Sequence, residues 1–175
     1  ALIFYDGAIL IEPLLVLFVT LSLYLLLVGE RSQRPVPYQL LAGAALGVAS
    51  VGRAAALVLV PVAALWAWHA APRGRSRRGA WAAALVVLGA AAVVTPVAIR
   101  NYVVSGDLVA ITSNGGLNFY VGNSEVSTGG YVKPEGLDIV TDPSGKAIAE
   151  AAVGRSLRPS EVASYWYGRA ARFIA

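Results

Sequence analysis

Residues 38–70 read YQLLAGAALGVASVGRAAALVLVPVAALWAWHA, with a single charged residue, Arg53, near the middle. As one helix this stretch would be about 50 Å long at 1.5 Å per residue. The hydrocarbon core of a bilayer is only about 30 Å thick. The length and the Gly52-Arg53 step predict two short helices, 38–51 and 54–70, joined at that step. Charge placement agrees with the split. With two passes in 38–70, the basic segments ERSQR (30–34) and RGRSRR (73–78) fall on one side, where the positive-inside rule puts them in the cytoplasm. With one pass, either of them would have to lie outside.

Working outward, residues 8–28 and 80–99 supply two further apolar stretches, the second without any charge. The expected architecture is therefore mostly α: four transmembrane helices (8–28 inward, 38–51 outward, 54–70 inward, 80–99 outward), followed by a small external α+β segment. Pro96 falls in the last turn of the fourth helix, where neighbours can satisfy the freed carbonyl. Gly43, Ala44, Gly47 and Ala54–Ala56 suit close helix packing. Trp66, Trp68 and His69 fall at the cytoplasmic end of their helix, as an interfacial belt would.

Composition supports the division. The chain is 57% hydrophobic and 14% charged, against about 25% charged in a typical soluble domain. Residues 1–99 carry three acids and seven arginines; residues 100–175 carry seven acids, five arginines and both lysines. The expected domains are a transmembrane bundle, 1–99, and an external mixed subdomain, 100–175, in a protein of the bacterial plasma (inner) membrane with 100–175 external or periplasmic. Residues 1–7 hold no basic residue, which argues against a signal peptide. Both ends fall inside apolar or helical patterns, so an internal fragment is expected. With no cysteine and one histidine, thiolate metal sites, disulfides and a histidine triad are not expected. The net charge of +4 comes largely from the 73–78 cluster, which reads as a topology signal and not as a nucleic-acid surface.

In the second segment, 107–113 (DLVAITS) and 117–121 (LNFYV) read as short strands around an Asn114-Gly115-Gly116 turn, with a Gly/Ser/Asn-rich loop from Gly122 to Gly130. Residues 144–155 and 160–174 read as helices. In the second, Ser160 is the expected cap, Glu161 sits in the first turn, and Val162, Trp166 and Phe173 recur at helical spacing.

The sharpest candidate for chemistry is Arg53. An intramembrane arginine costs at least about 2–3 kcal/mol on insertion scales and faces a cavity or a partner. At the outer end of two short helices its planar fork suits a phosphate. Snorkelling to headgroups, or pairing with Glu12, is the plainer alternative. Glu12 is a candidate for the acceptor or metal vicinity, or a first-turn acid favoured by the helix dipole. Asp6 is a weaker acid of the same vicinity. Arg100, directly after the last span, is a second phosphate candidate or an interfacial anchor. Asn114, Gly115, Gly116, Asn118, Tyr120, Gly122 and Asn123 form a polar ribbon whose backbone amides could contact a sugar or phosphate, or a plain hairpin.

FYDGAILIEPLLVLFVTLSLYLL (4–26), LAGAALGVASVGRAAALVLVPVAALW (41–66), RNYVVSGDLVAITSNGGLNFYVGNSEVSTGGY (100–131) and SEVASYWYGRAARFI (160–174) together resemble the polytopic GT-C glycosyltransferases. The branch is that of the dolichyl-phosphate-mannose protein mannosyltransferases and the aminoarabinose lipid A transferases. The third stretch carries most of the likeness. The resemblance implies an enzyme that moves a sugar, with inversion, from a polyprenyl-phosphate donor to a protein, lipid or glycan acceptor on the external face. It implies membrane lipid as a partner, no nucleic acid, and no evident cofactor beyond a divalent metal compatible with Glu12. Carried over by position, Arg53 holds the carrier phosphate and Glu12 belongs to an external loop near acceptor or metal. Where many relatives have Pro or a larger residue after this arginine, this chain has Ala54. The catalytic base is unknown and expected upstream, so this piece alone is expected to be inactive. Two other classes remain open: a transporter or flippase segment for a lipid-linked or anionic substrate, which also uses broken helices, and a structural component without chemistry.

Overall fold

The computed structural model describes residues 11–70, 76–125, 127, 136–138 and 141–175. Asp6, the start of the first expected helix and some of the 73–78 cluster lie outside these residues. The chain is mostly helical. Its elements are α1 (Ile11–Arg31), α2 (Pro35–Gly52), a 3₁₀ turn (Ala54–Val58), α3 (Leu59–Ala70), α4 (Ser76–Ser105), α5 (Gly115–Gly122), α6 (Lys146–Val153) and α7 (Pro159–Ile174). It divides into two compact units, Ala1–Val97 and Ala98–Ala175, with the division inside α4.

In the first unit, α1 and most of α4 (Arg77–Ser105) are long and apolar enough to cross a bilayer. The stretch 38–70 is broken as its length requires. Pro35 starts α2, where its missing N–H is not needed. The helix runs to Gly52, and Arg53 then takes an extended conformation, φ −140° and ψ 106°. The Arg53 carbonyl accepts the Ala56 N–H at 2.8 Å, opening the 3₁₀ turn. Pro61 explains why the chain restarts here. In one continuous helix it would forfeit a bond and press on the Leu57 carbonyl; as the third residue of α3 its lack of an N–H costs nothing. α2 and the Ala54–Ala70 segment are each roughly 27 Å long, and of the four expected spans only α1 and α4 are long and apolar enough to cross a bilayer.

Contacts at the two ends fix the directions. Arg53 at the end of α2 meets Glu12 at the start of α1, 2.9 Å apart. At the other end, Trp66 Nε1 donates to Glu30 Oε1 at 2.6 Å. So α1 and α3 run one way and α2 the other. α4 runs parallel to α2, with the two backbones in contact. A Cβ on Gly43 would strike the Val86 carbonyl, one on Gly47 would lie 2.9 Å from the Ala90 carbonyl, and one on Gly89 would strike the Leu40 carbonyl. Leu26, Leu46, Val60 and Val86, with alanines of α2, α3 and α4, fill the space between the helices. Outward-facing Leu14, Val16, Leu17 and Leu23 remain exposed along α1.

The second unit corrects the expected β segment: it holds no strand among the described residues. Residues 107–113 run as irregular chain after α4. The Asn101 side-chain amide donates to the Val109 and Ile111 carbonyls at 3.1 and 3.2 Å, taking acceptors that a sheet ladder would have used. Residues 117–121 lie in α5. Gly115 and Gly116 are not a turn signal here, because neither takes a positive φ. They allow a close approach: a Cβ on Gly116 would strike the Ala163 carbonyl of α7. Leu117, Val121, Leu137, Ala149, Leu157, Val162 and a fully buried Trp166 form the core. The two expected helices are present as α6 and α7, though Phe173 points outward. α6 follows Gly145, whose φ of 67° and closeness to the Trp166 ring leave no room for a side chain. Asp142 accepts the Lys146 and Ala147 N–H groups at 2.9 and 2.8 Å, capping α6.

The α2–α4 contact makes a test. Gly43→Ala has to push the α2 and α4 backbones apart and is expected to destabilise the first unit by about 1–3 kcal/mol. Gly52→Ala, which meets only the Ile11 side chain at 3.3 Å, is expected to stay within about 0.5 kcal/mol of the parent. Thermal unfolding in detergent micelles, followed by circular dichroism, measures both.

Candidate functional site

Arg53 owes its position to the backbone, because the extended residue between α2 and the 3₁₀ turn turns the side chain away from either helical ladder. Its Nη1 donates to Glu12 Oε1 at 2.9 Å, and both side chains are 54% exposed. Glu12 lies in the first turn of α1, where the helix dipole favours a carboxylate. The plainer expectation for these two residues, that they pair, is what the structure contains. The pair is not sealed in. Half-exposed ion pairs are worth only about 0.2–1 kcal/mol, so the remaining guanidinium N–H groups stay open to a better anion. Among the described residues no group of three or more potential metal ligands occurs.

Arg100 is an exposed residue of α4, and its side chain makes no ion pair among the described residues. The ribbon residues come together differently from the expected hairpin. Asn114 is the residue before α5 and makes no side-chain cap. Gly115 and Gly116 face α7. Tyr120 packs on Trp166 at 5.0 Å between ring centroids, with the Arg169 guanidinium 5.0 Å above its own ring. Asn123 follows α5 and turns its amide back to the Phe119 carbonyl at 2.9 Å. In a helix the backbone amides of 118–122 point to carbonyls four residues back, so they offer no row of donors to a sugar or phosphate. Gly116 and Tyr120 pack against neighbouring helices, while Asn118 and Phe119 face outward.

One polar centre has no signature in the sequence. Asp107 is buried, and its carboxylate accepts the Ser160 N–H at 2.6 Å and the Ser160 hydroxyl at 2.9 Å. It thereby caps α7, the role expected of Ser160 itself. Ser160 lies one residue inside the helix and donates both its groups. These bonds, the Ser160 N–H foremost, hold the Asp107 carboxyl below its ordinary range. Glu161 is pulled down to about 2, first by the hydrogen bond from the Arg155 guanidinium and then by the Arg158 N–H. Glu150 is lowered in the same way by the Leu157 N–H and the Ser156 hydroxyl. No short-range pattern links position 107 to position 160.

In comparisons with known proteins, no protein family matches this chain, and no curated protein or solved structure matches it either.

The three lowered carboxyls give the second unit an acid limb. Each is more acidic folded than unfolded, so its contribution is complete above the unfolded values and is lost as pH falls through the folded ones. The melting temperature of this unit is expected to hold from pH 7 to about 5 and to fall between about 4.5 and 2. Glu161→Gln is expected to lower it at pH 7 and to flatten the acid limb. Trp166 fluorescence, in a chain whose other three tryptophans are phenylalanine, reads the transition.

Proposed function

We propose that this chain belongs to a polytopic membrane glycosyltransferase that takes a sugar from a polyprenyl-phosphate carrier at the external face and passes it to a protein, lipid or glycan acceptor. One observation carries the proposal: an arginine fixed at the break between two apolar helices, held by a half-exposed carboxylate in place of a sealed partner. The apolar helices and their outward-facing leucines and valines support the membrane setting. Arg31, Arg34, Arg77 and Arg78 support a cytoplasmic placement for the opposite end of the bundle under the positive-inside rule, which in this reading turns Arg53 to the outside.

The chemistry asked of Arg53 is positional. A carrier phosphodiester is a single negative charge on an apolar tail, and a guanidinium at the membrane surface can take two of its oxygens at once. The phosphate displaces Glu12 at small cost, because the pair is half-exposed. The released carboxylate then lies beside the sugar, ready to accept a hydrogen bond from a sugar or acceptor hydroxyl. Charge grows on the phosphate as the sugar leaves, and a fixed cation stabilises it. No residue of this chain is assigned as the general base.

The interrupted helix with its arginine also favours a second reading, a transporter or flippase for an anionic substrate. A full-length enzyme assay separates the two. Transfer from polyprenyl-phosphate sugars is expected to fall roughly 10–100-fold in Arg53→Ala, the loss of a charged hydrogen bond, with partial recovery in Arg53→Lys. Unchanged transfer by Arg53→Ala would remove that residue from the mechanism. Absence of transfer with every donor, together with substrate movement across vesicles, would establish the transporter.

A further inference from the structure

A cavity lies at the other end of the first unit, away from Arg53. It has a volume of about 530 Å³ and opens among the end of α1, the start of α2, the end of α3 and the start of α4. That volume is within the range of small-molecule sites, roughly 300–1,000 Å³. Leucines, alanines and Val36 make its floor. Among the described residues its rim carries one acid, Glu30, one base, Arg78, the amides Gln33 and Gln39, and the indoles of Trp66 and Trp81.

Three features define what fits. The first is depth. Trp66, Trp68 and Trp81 all stand half-exposed or more at this end of the bundle, as an interfacial aromatic belt does, so the cavity lies at the level of lipid headgroups. The second is charge. Glu30 and Arg78 are not ion-paired with each other or with any other described residue, and together they are neutral. Trp66 Nε1 holds the Glu30 carboxylate at 2.6 Å through one oxygen only. The third is the indole faces, which attract an ammonium group when it is drawn in by a neighbouring carboxylate.

We infer that this cavity binds the headgroup of a zwitterionic phospholipid of the cytoplasmic leaflet, a phosphoethanolamine, with Arg78 on the phosphate and Glu30, Trp66 and Trp81 around the ammonium. The acyl chains leave along the apolar floor into the bilayer. An anionic headgroup without the ammonium would leave Glu30 facing a phosphate, which disfavours it. The inference rests on the membrane reading of the first unit, but not on sugar transfer.

The experiment uses the full 175-residue chain labelled with 5-fluorotryptophan in maltoside micelles. Fluorine NMR follows each tryptophan while dihexanoyl phosphatidylethanolamine, dihexanoyl phosphatidylglycerol or free phosphoethanolamine is added. Saturable shifts of Trp66 and Trp81 with the phosphatidylethanolamine, and none at Trp166 in the second unit, are expected. Glu30→Gln, which keeps an acceptor for Trp66, and Arg78→Gln should each weaken binding at least about tenfold, the loss of one charged contact. An unchanged Trp68 signal in the ligand-free variants, from a tryptophan of the first unit that does not line the cavity, shows that this unit is folded. Equal response to phosphatidylglycerol, equal affinity for free phosphoethanolamine, or unaltered binding in both variants would overturn the inference. Carbonate extraction of the chain from cell membranes tests the membrane reading separately: release into the supernatant would refute that reading, and this inference with it.

Discussion

The extended backbone at Arg53 is the constraint on which the first unit depends. A stretch of apolar sequence too long for one crossing has to be divided, and the division exposes polar backbone that must be satisfied locally. Here the Arg53 N–H closes on the Ala49 carbonyl and its carbonyl opens a 3₁₀ turn, so neither peptide group is left over. The same break frees a guanidinium from both helices and sets it beside the first turn of α1. Helix length, backbone satisfaction and the position of the Arg53 guanidinium therefore have a single cause.

The packing of α2 reinforces that cause. With Gly43 and Gly47 toward Gly89 and Ala90, α2 approaches α4 at backbone distance, and the rigid seam keeps the end of α2 in place. The interior is built largely from alanine and glycine, with few large side chains. Such a core gains little from hydrophobic burial and relies on close van der Waals contact. It also leaves many of the larger apolar residues facing outward.

Legibility in the sequence follows the range of the interactions. The break at Gly52-Arg53 is readable because length and a mid-segment charge are local facts, and α7 because Val162 and Trp166 recur at helical spacing. The ribbon 114–123 misleads because Asn-Gly-Gly is a turn signal only when the glycines use positive φ. Here they serve close approach to α7, a tertiary demand that overrides the local preference. Asp107 resembles the start of a strand because its partner is Ser160, and no spacing rule joins residues so far apart. At Arg53 and Glu12 the sequence leaves pairing and phosphate binding open. The observed distance and exposure make the two compatible, since a weak pair can yield to a stronger anion.

The central claim is that Arg53 lies at the external surface, at the end of the bundle opposite the Glu30–Trp66 contact. The chain has no cysteine, so single cysteines placed at Arg53 and at Ser32 report their sides without interference. A membrane-impermeant maleimide added to intact cells is predicted to label Arg53→Cys, and to label Ser32→Cys only after permeabilisation. Labelling of position 53 only from the cytoplasmic side would contradict the account.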